Sequence, residues 1–336
     1  MVRRESRRVG YRVVALTMVF LFYAAAQGAA ADEAPQLVEV RKIWDAAPHN
    51  AFTDLVRFKD RWFCVFREGR NHVSPDGKLR VIESADGRKW ESAALISLEG
   101  ADLRDAKACL TPDGRLMLGG AAARAKQGGG KTHQSMAWFS EDGRDWAEGV
   151  DVGEPDFWIW RTTWHKDAAY AVGYGTAGQK IARLYLSRDG VDFEPLVHTL
   201  FDKGYPNEHA LVFLPDDTCL CLLRRDEGTK TGLLGTARPP YKDWTWKDLG
   251  KQVGGPAMIR TPNGHLLAAV RLYDGKVRTS LCRLDPAAGT LTECLALPSG
   301  GDTSYAGMVL HDGLLWVSYY SSHEGKTSIY LAKVKL

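Results

Sequence analysis

Apolar and polar positions along the chain repeat one shape six times: an apolar alternating run, a tight polar turn and a second apolar run. The copies are LVRFKDRWFCVFRE (55–68), ACLTPDGRLMLGGAA (108–122), TTWHKDAAYAVGYG (162–175), ALVFLPDDTCLCLLRR (210–225), AMIRTPNGHLLAAVR (257–271) and GMVLHDGLLWVSYYS (307–321). Their turn residues are Asp60, Asp113, Asp167, Asp216, Asn263 and Asp312, spaced by 53, 54, 49, 47 and 49 residues. P-D-G, P-N-G and H-D-G between β-rich runs predict hairpins, because Asn, Asp and Gly accept the positive φ that tight turns need. A unit of about 50 residues holds four strands, so the pattern predicts an all-β, six-bladed β-propeller rather than a sandwich of regular hairpins. The opening run LVEVRKIW (37–44) and the closing run SIYLAKVKL (328–336) are expected to share one blade and close the ring.

The N-terminus breaks this pattern. Arg3, Arg4, Arg7, Arg8 and Arg12 precede an apolar run from Val13 to Ala26 and the small residues Ala29-Ala30-Ala31. That order reads as a cleavable signal peptide over residues 1–31, its apolar run too short to span a bilayer as a helix. Residues 32–336 are then one secreted or periplasmic domain with no membrane span, expected to be a monomer. The whole chain carries 44 Lys+Arg against 41 Asp+Glu. The leader holds five of those arginines and Glu5, so the remainder is close to neutral and has no basic block for phosphates. Nucleic acid is excluded as a partner on that ground.

Six cysteines follow the leader. Cys282 and Cys294 flank a hairpin and are the best candidates for a disulfide. Cys219 and Cys221, two apart on a strand, are expected to face the same way as small hydrophobes, with Cys64 and Cys109 unassigned. No C-x-x-C occurs, so no metal is assigned, and no cofactor is implied.

A second element recurs as Ser84-Ala-Asp86-Gly87-Arg-Lys-Trp90, Ser140-Glu-Asp142-Gly143-Arg-Asp-Trp146 and Ser187-Arg-Asp189-Gly190-Val-Asp-Phe193. In each S-x-D-G-x-x-W/F copy the carboxylate can accept backbone N–H bonds while the aromatic plugs the space below. It resembles the Asp box of the sialidase superfamily, shortened by one residue, and the blade repeat extends the resemblance along the chain. The box also occurs in propellers without that activity, so it speaks for architecture.

In such a fold, residues just before the first run of each repeat and just after the second converge at one end of the axis. The set is rich in Arg, carboxylate and Tyr: His49-Asn50, Arg104-Asp105, Arg161, Asn207-Glu208-His209, Gly254-Gly255-Pro256 and Asp302 to Tyr305, with Arg67-Glu68, Arg124, Tyr174, Arg224 to Asp226, Arg271 and Tyr319-Tyr320. Several guanidinium groups around an axis suit a carboxylate ligand, although each arginine equally suits a neighbouring Asp or Glu. Asn207-Glu208-His209-Ala210 resembles the family's glutamate-bearing segment, followed by a hairpin ending on a carboxylate-binding arginine, which maps Glu208 and Arg224. Ser304-Tyr305-Ala306-Gly307 resembles the segment with the family's tyrosine nucleophile, which maps Tyr305. Arg271 follows by repeat position, and Arg161, Arg67, Asp105 and His49 complete the expected substrate-binding set.

Two places depart from the family. Its first arginine lies in an F-R-I-P segment, where this chain reads Asn50-Ala51-Phe52-Thr53-Asp54. Its acid/base aspartate falls in the loop after the first hairpin, where Asp76 is the candidate, with His72 and Asp105 as others. The resemblance implies a glycoside hydrolase that releases a terminal acidic sugar from a glycan, with Tyr305 activated by Glu208. Such tyrosine enzymes stand outside the two-carboxylate rule of glycoside hydrolysis. A glycan-binding propeller without catalysis, and a polysaccharide lyase or other exo-glycosidase on uronate-containing glycans, are the alternatives; His49, His72, His209 and His323 would serve a histidine-based glycosidase or a lyase. Trp158 and Trp160 are read as exposed rings able to stack on a sugar.

Overall fold

Alternate residues of a strand face opposite sides of its sheet, so a strand packed between two other sheets reads as an almost unbroken apolar run. In Arg61–Gly69, Trp62, Cys64 and Phe66 enter one core cluster while Phe63 and Val65 enter the next. In Cys219–Arg225, Cys219, Cys221 and Leu223 face one neighbour and Leu220 and Leu222 the other. Among the described residues there are six such clusters, one in each gap between adjoining sheets.

The computed structural model describes residues 1–2, 34–125 and 129–336, so the leader read at 1–31 lies almost wholly outside the described residues. The chain is an all-β six-bladed propeller, each blade four antiparallel strands. The innermost strands are His49–Phe58, Ala101–Leu110, Phe157–His165, Pro206–Phe213, the second half of Thr245–Arg260, and Thr303–His311. Each packs against the next, and the last against the first, around one axis. Thr245–Arg260 serves two blades: residues up to Gln252 pair with Thr231–Ala237, and residues from Val253 pair with Leu266–Leu272. The opening strand Gln36–Trp44 pairs with Ser328–Lys335 in the sixth blade, as the sequence predicts, and this joins the two ends of the ring.

The three S-x-D-G turns share one hydrogen-bond scheme. In the first, Gly87 N–H donates to Ser84 Oγ at 2.9 Å, and the N–H groups of Arg88 and Lys89 donate to Asp86 Oδ1 at 2.8 and 3.1 Å. Those backbone donors, Arg88 first, pull Asp86 down to about 2. The turns brace blades rather than form a site.

The cysteine expectation is corrected. All six are free thiols. Cys282 packs into the cluster on one side of the fifth blade and Cys294 against that on the other, so their sulfurs lie on opposite faces of a sheet and do not pair. Cys219 and Cys221 share one face, as expected.

Candidate active site

Every innermost strand breaks register at the same height, between Ala51 and Asp54, Arg104 and Lys107, Ile159 and Thr162, Pro206 and His209, Gly254 and Ala257, and Ser304 and Gly307. Each bulge frees two residues from the ladder and re-aims them. Phe52, Asp105, Gly255 and Tyr305 stand there at φ of 65, 53, 54 and 52°. Three of the four carry side chains in a region that costs of order 1–3 kcal/mol and clusters at working sites. At Gly255 the requirement is steric as well. An added Cβ would come within 2.6 Å of the Tyr305 ring, while its N–H donates to Glu208 Oε2 at 2.8 Å. Gly255→Ala is therefore expected to displace Tyr305, with loss of about 1–3 kcal/mol in a urea melt.

Tyr305, Glu208 and Arg224 meet there. The Tyr305 hydroxyl donates to Glu208 Oε1 in a short bond, and Arg224 Nη1 donates to the same oxygen at 2.7 Å and to the tyrosine oxygen at 3.1 Å. Arg224 Nε is held by Asp226 at 2.9 Å. These bonds use Nε and Nη1 and leave Nη2 without a protein partner among the described residues. Burial alone would raise Glu208, but the charge and hydrogen bond of Arg224, with those of Tyr305 and the Gly255 N–H, outweigh it and hold the carboxyl below its ordinary range. Tyr305 moves the other way: burial first, then the Glu208 charge, push it well above 10, against the pull of Arg224 and Arg271. The resting pair is a neutral phenol bonded to a carboxylate.

Around it stand five further groups. Arg271 lies over the Tyr305 ring at 5.4 Å and donates to Thr303 O at 2.7 Å and to the Tyr320 hydroxyl at 2.8 Å. Asp302 is the hub of the rim, bonded through Oδ1 to Tyr320 at 2.7 Å and through Oδ2 to His72 at 2.7 Å and His49 at 3.3 Å. Burial opposes its ionisation, but the hydrogen bonds of His49, His72 and Tyr320 hold Asp302 far below the carboxylate range. Asp105 is buried with no polar partner for its carboxyl among the described residues, and burial raises it despite Arg104 and Lys107. Phe52 packs on the rings of Tyr305, Tyr320 and His72 at 5.1, 5.4 and 5.0 Å. The Arg104 guanidinium, from the next blade, lies 5.5 Å from the Phe52 ring and 5.7 Å from that of Trp158.

The structure thus brings Tyr305, Glu208, Arg224, Arg271, Asp105 and His49 to one end of the axis and commits the other three expected residues to contacts of their own. Arg67 is wholly buried and spent on Asp102, Asn71 and Ser74, so no ligand reaches it. Arg161 grips buried Asp54 at 2.9 and 3.1 Å. It also donates to Ala306 O at 3.1 Å and lines a cavity of about 400 Å³ further along the same strands, walled largely by aliphatic groups. Asp76 is bonded inside its own loop, to Arg70, and the Ser74 hydroxyl leads the contacts that lower it, the reverse of what a proton donor requires. Trp158 and Trp160 are core residues, 4 and 1% exposed, not sugar platforms. His209 is buried, pushed down to about 3 by burial, and accepts from Val172 N–H. Lys107 was not foreseen: it is buried beneath Tyr305, its ammonium 5.7 Å from that ring, and burial and Arg161 bring it down to about 8. A lone lysine inside an apolar inner strand was its only sequence signal.

No family model and no curated protein sequence matches the chain. Solved structures do. A protein of unknown function from Dyadobacter fermentans superposes with a TM-score of 0.81 at 20% identity, over 90% of this chain and 99% of the other. An α-L-arabinanase of Penicillium chrysogenum, complexed with arabinobiose, gives 0.67 at 12% identity over 89 and 97%. Trypanosoma rangeli sialidase gives 0.66 at 11%, over 85% of this chain and 55% of its own. At these identities the likeness shows the fold, one shared with glycoside hydrolases that act on different sugars.

Proposed function

We propose that the chain is an exo-acting glycoside hydrolase that releases a terminal acidic sugar from glycans, with Tyr305 as nucleophile and Glu208 as its base. The observation that carries this reading is the hydrogen bond from the Tyr305 hydroxyl to the Glu208 carboxylate, with Arg224 bonded to both. A phenol with a raised pKa is a poor nucleophile unless its proton leaves as the bond forms, and an ionised carboxylate in contact with it takes that proton. A neutral attacking oxygen also avoids the repulsion that a carboxylate nucleophile would meet from an acidic sugar. Arg224, through its open Nη2, and Arg271 would hold the sugar's carboxylate, with Asp105 at the floor beneath it. The fold it shares with a sialidase and an arabinanase supports the reaction class; secretion rests on the leader sequence alone.

The test is release of sugar by the purified domain from fluorogenic sialic acid and uronic acid glycosides and from a panel of acidic glycans, analysed by mass spectrometry. A released acidic monosaccharide is the expected result. Binding without release would assign a glycan-binding propeller, and an unsaturated product absorbing in the ultraviolet would assign a lyase. Glu208 also sets a pH dependence. Because its folded pKa lies below the ordinary glutamate value, the carboxylate survives into more acid solution, so the acid limb of kcat/KM is expected below about pH 4.5. Glu208→Gln is expected to remove that limb together with at least about a hundredfold of kcat. A limb unchanged in the variant would take Glu208 out of the chemistry.

A further inference from the structure

Residues 69–77 leave the first hairpin and wrap around a buried guanidinium. Arg67 Nε donates to Asp102 at 2.9 Å, Nη1 to Asn71 O at 2.8 Å, and Nη2 to Ser74 O and Ser74 Oγ at 3.1 Å each. The wrap is so close that a Cβ at Gly77 would sit 1.9 Å from an Asp102 oxygen. The loop is thereby fixed to the propeller, and it carries His72 to the rim of the candidate site. There His72 Nδ1 meets Asp302 Oδ2 at 2.7 Å, across 230 residues of sequence.

Asp302 is held from its other side by the Tyr320 hydroxyl at 2.7 Å and Arg271 Nη2 at 3.3 Å, so its orientation is set before any ligand arrives. A carboxylate on Nδ1 fixes the imidazole and directs Nε2 away from it, the arrangement by which a histidine gives and takes protons. His72 Nε2 has no partner among the described residues, and the side chain is 48% exposed, whereas Glu208 and Tyr305 are both 7% exposed. Among the described residues Phe52 is the one ring that touches both His72, at 5.0 Å, and Tyr305, at 5.1 Å. An exo-acting site keeps the sugar at its floor and turns the leaving group to solvent, so its proton donor belongs at the rim. Asp105 sits at the floor and Asp76 is spent on its loop.

We infer that His72 is the acid that protonates the leaving group and the base that then activates water, oriented by Asp302, with Arg67 as the positioning residue of its loop. This rests on the hydrolase reading above. In the first step the Tyr305 oxygen bonds the anomeric carbon while its proton passes to Glu208. The glycosidic C–O bond breaks, and the departing oxygen takes the Nε2 proton of the imidazolium. In the second step neutral Nε2 takes a proton from water, whose oxygen bonds the anomeric carbon. The tyrosine oxygen leaves and recovers its proton from Glu208. No proton or electron pair is left over, and the sugar keeps its anomeric configuration. The charged groups facing His72 throughout are Asp302 and His49, with Arg271 beyond Asp302 and Asp105 beneath.

The test compares His72→Gln with the parent on two probes of one sugar, the 4-methylumbelliferyl glycoside and an alkyl-linked oligosaccharide. Aryl phenolates leave without a proton and alkoxides do not, so kcat/KM is expected to fall about a hundredfold further on the alkyl-linked probe. Free imidazole is expected to restore part of the activity of His72→Ala, a rescue that a purely structural histidine would not show. Melting temperatures of both variants close to the parent's would confirm that they fold. Equal losses on both probes, no loss, or no rescue would overturn the assignment. A parent protein that turns over neither probe would instead overturn the hydrolase reading on which it rests.

Discussion

Tyr305→Phe is expected to abolish turnover, lowering kcat on the order of 10⁴-fold or more, while affinity for the sugar stays close to that of the parent. Loss of a covalent nucleophile removes a step rather than a contact, and knocking out one member of a nucleophile and base pair costs nearly as much as removing both. The substitution takes away one oxygen and leaves the ring, which packs on Phe52, Trp160 and Tyr320. Folding should therefore be little changed. Glu208 loses a donor but keeps Arg224 and the Gly255 N–H. Steady-state kinetics beside isothermal titration of the variant separates the outcomes. Retained turnover would exclude Tyr305 from the chemistry, and lost binding with lost turnover would make it a binding residue only.

Arg67→Met is expected to destabilise the domain by about 3–5 kcal/mol, because it strands the buried carboxylate of Asp102 and empties the centre of the loop that carries His72. Guanidine melts of the variant read the loss directly. Pairing the substitution with Asp102→Leu should recover part of it, since removing both charges from a buried pair costs far less than removing one. A near-neutral single variant would mean that the loop holds itself. Stability and activity must be read together here: the account expects the surviving folded fraction of Arg67→Met to show a weakened response to leaving-group chemistry, as His72→Gln does.

The blades were legible because hairpin chemistry is local. An Asp, Asn or Gly at a tight turn announces itself within a few residues, and the alternation on either side shows which residues face which neighbour. The strand Thr245–Arg260 was not legible as one element, since it passes between blades four and five without a turn to mark the change. The meeting of Glu208, Arg224 and Tyr305 was legible because the segments that carry them in sequence end at the same height of the blades. Arg67 and Arg161 were misplaced for a physical reason. A sequence gives the charge of an arginine but not whether Asp102 or Asp54 already neutralises it. The pairing of Asp302 with His72 had no local signal, because closure of the ring creates it. The bulges that present Phe52 and Tyr305 were equally silent, as neither residue type hints at positive φ, and Asp105 and Gly255 lie inside runs that read as plain strand.

The most direct measurement is covalent trapping. The purified domain is incubated with fluorinated glycosyl fluorides of acidic sugars, which form the glycosyl-enzyme faster than they release it, then examined by intact mass and peptide mapping. The account predicts a single stoichiometric adduct on Tyr305, absent from Tyr305→Phe and slow to form in Glu208→Gln. An adduct on Glu208 or Asp105, or turnover of the parent glycoside with inversion and no adduct, would contradict it.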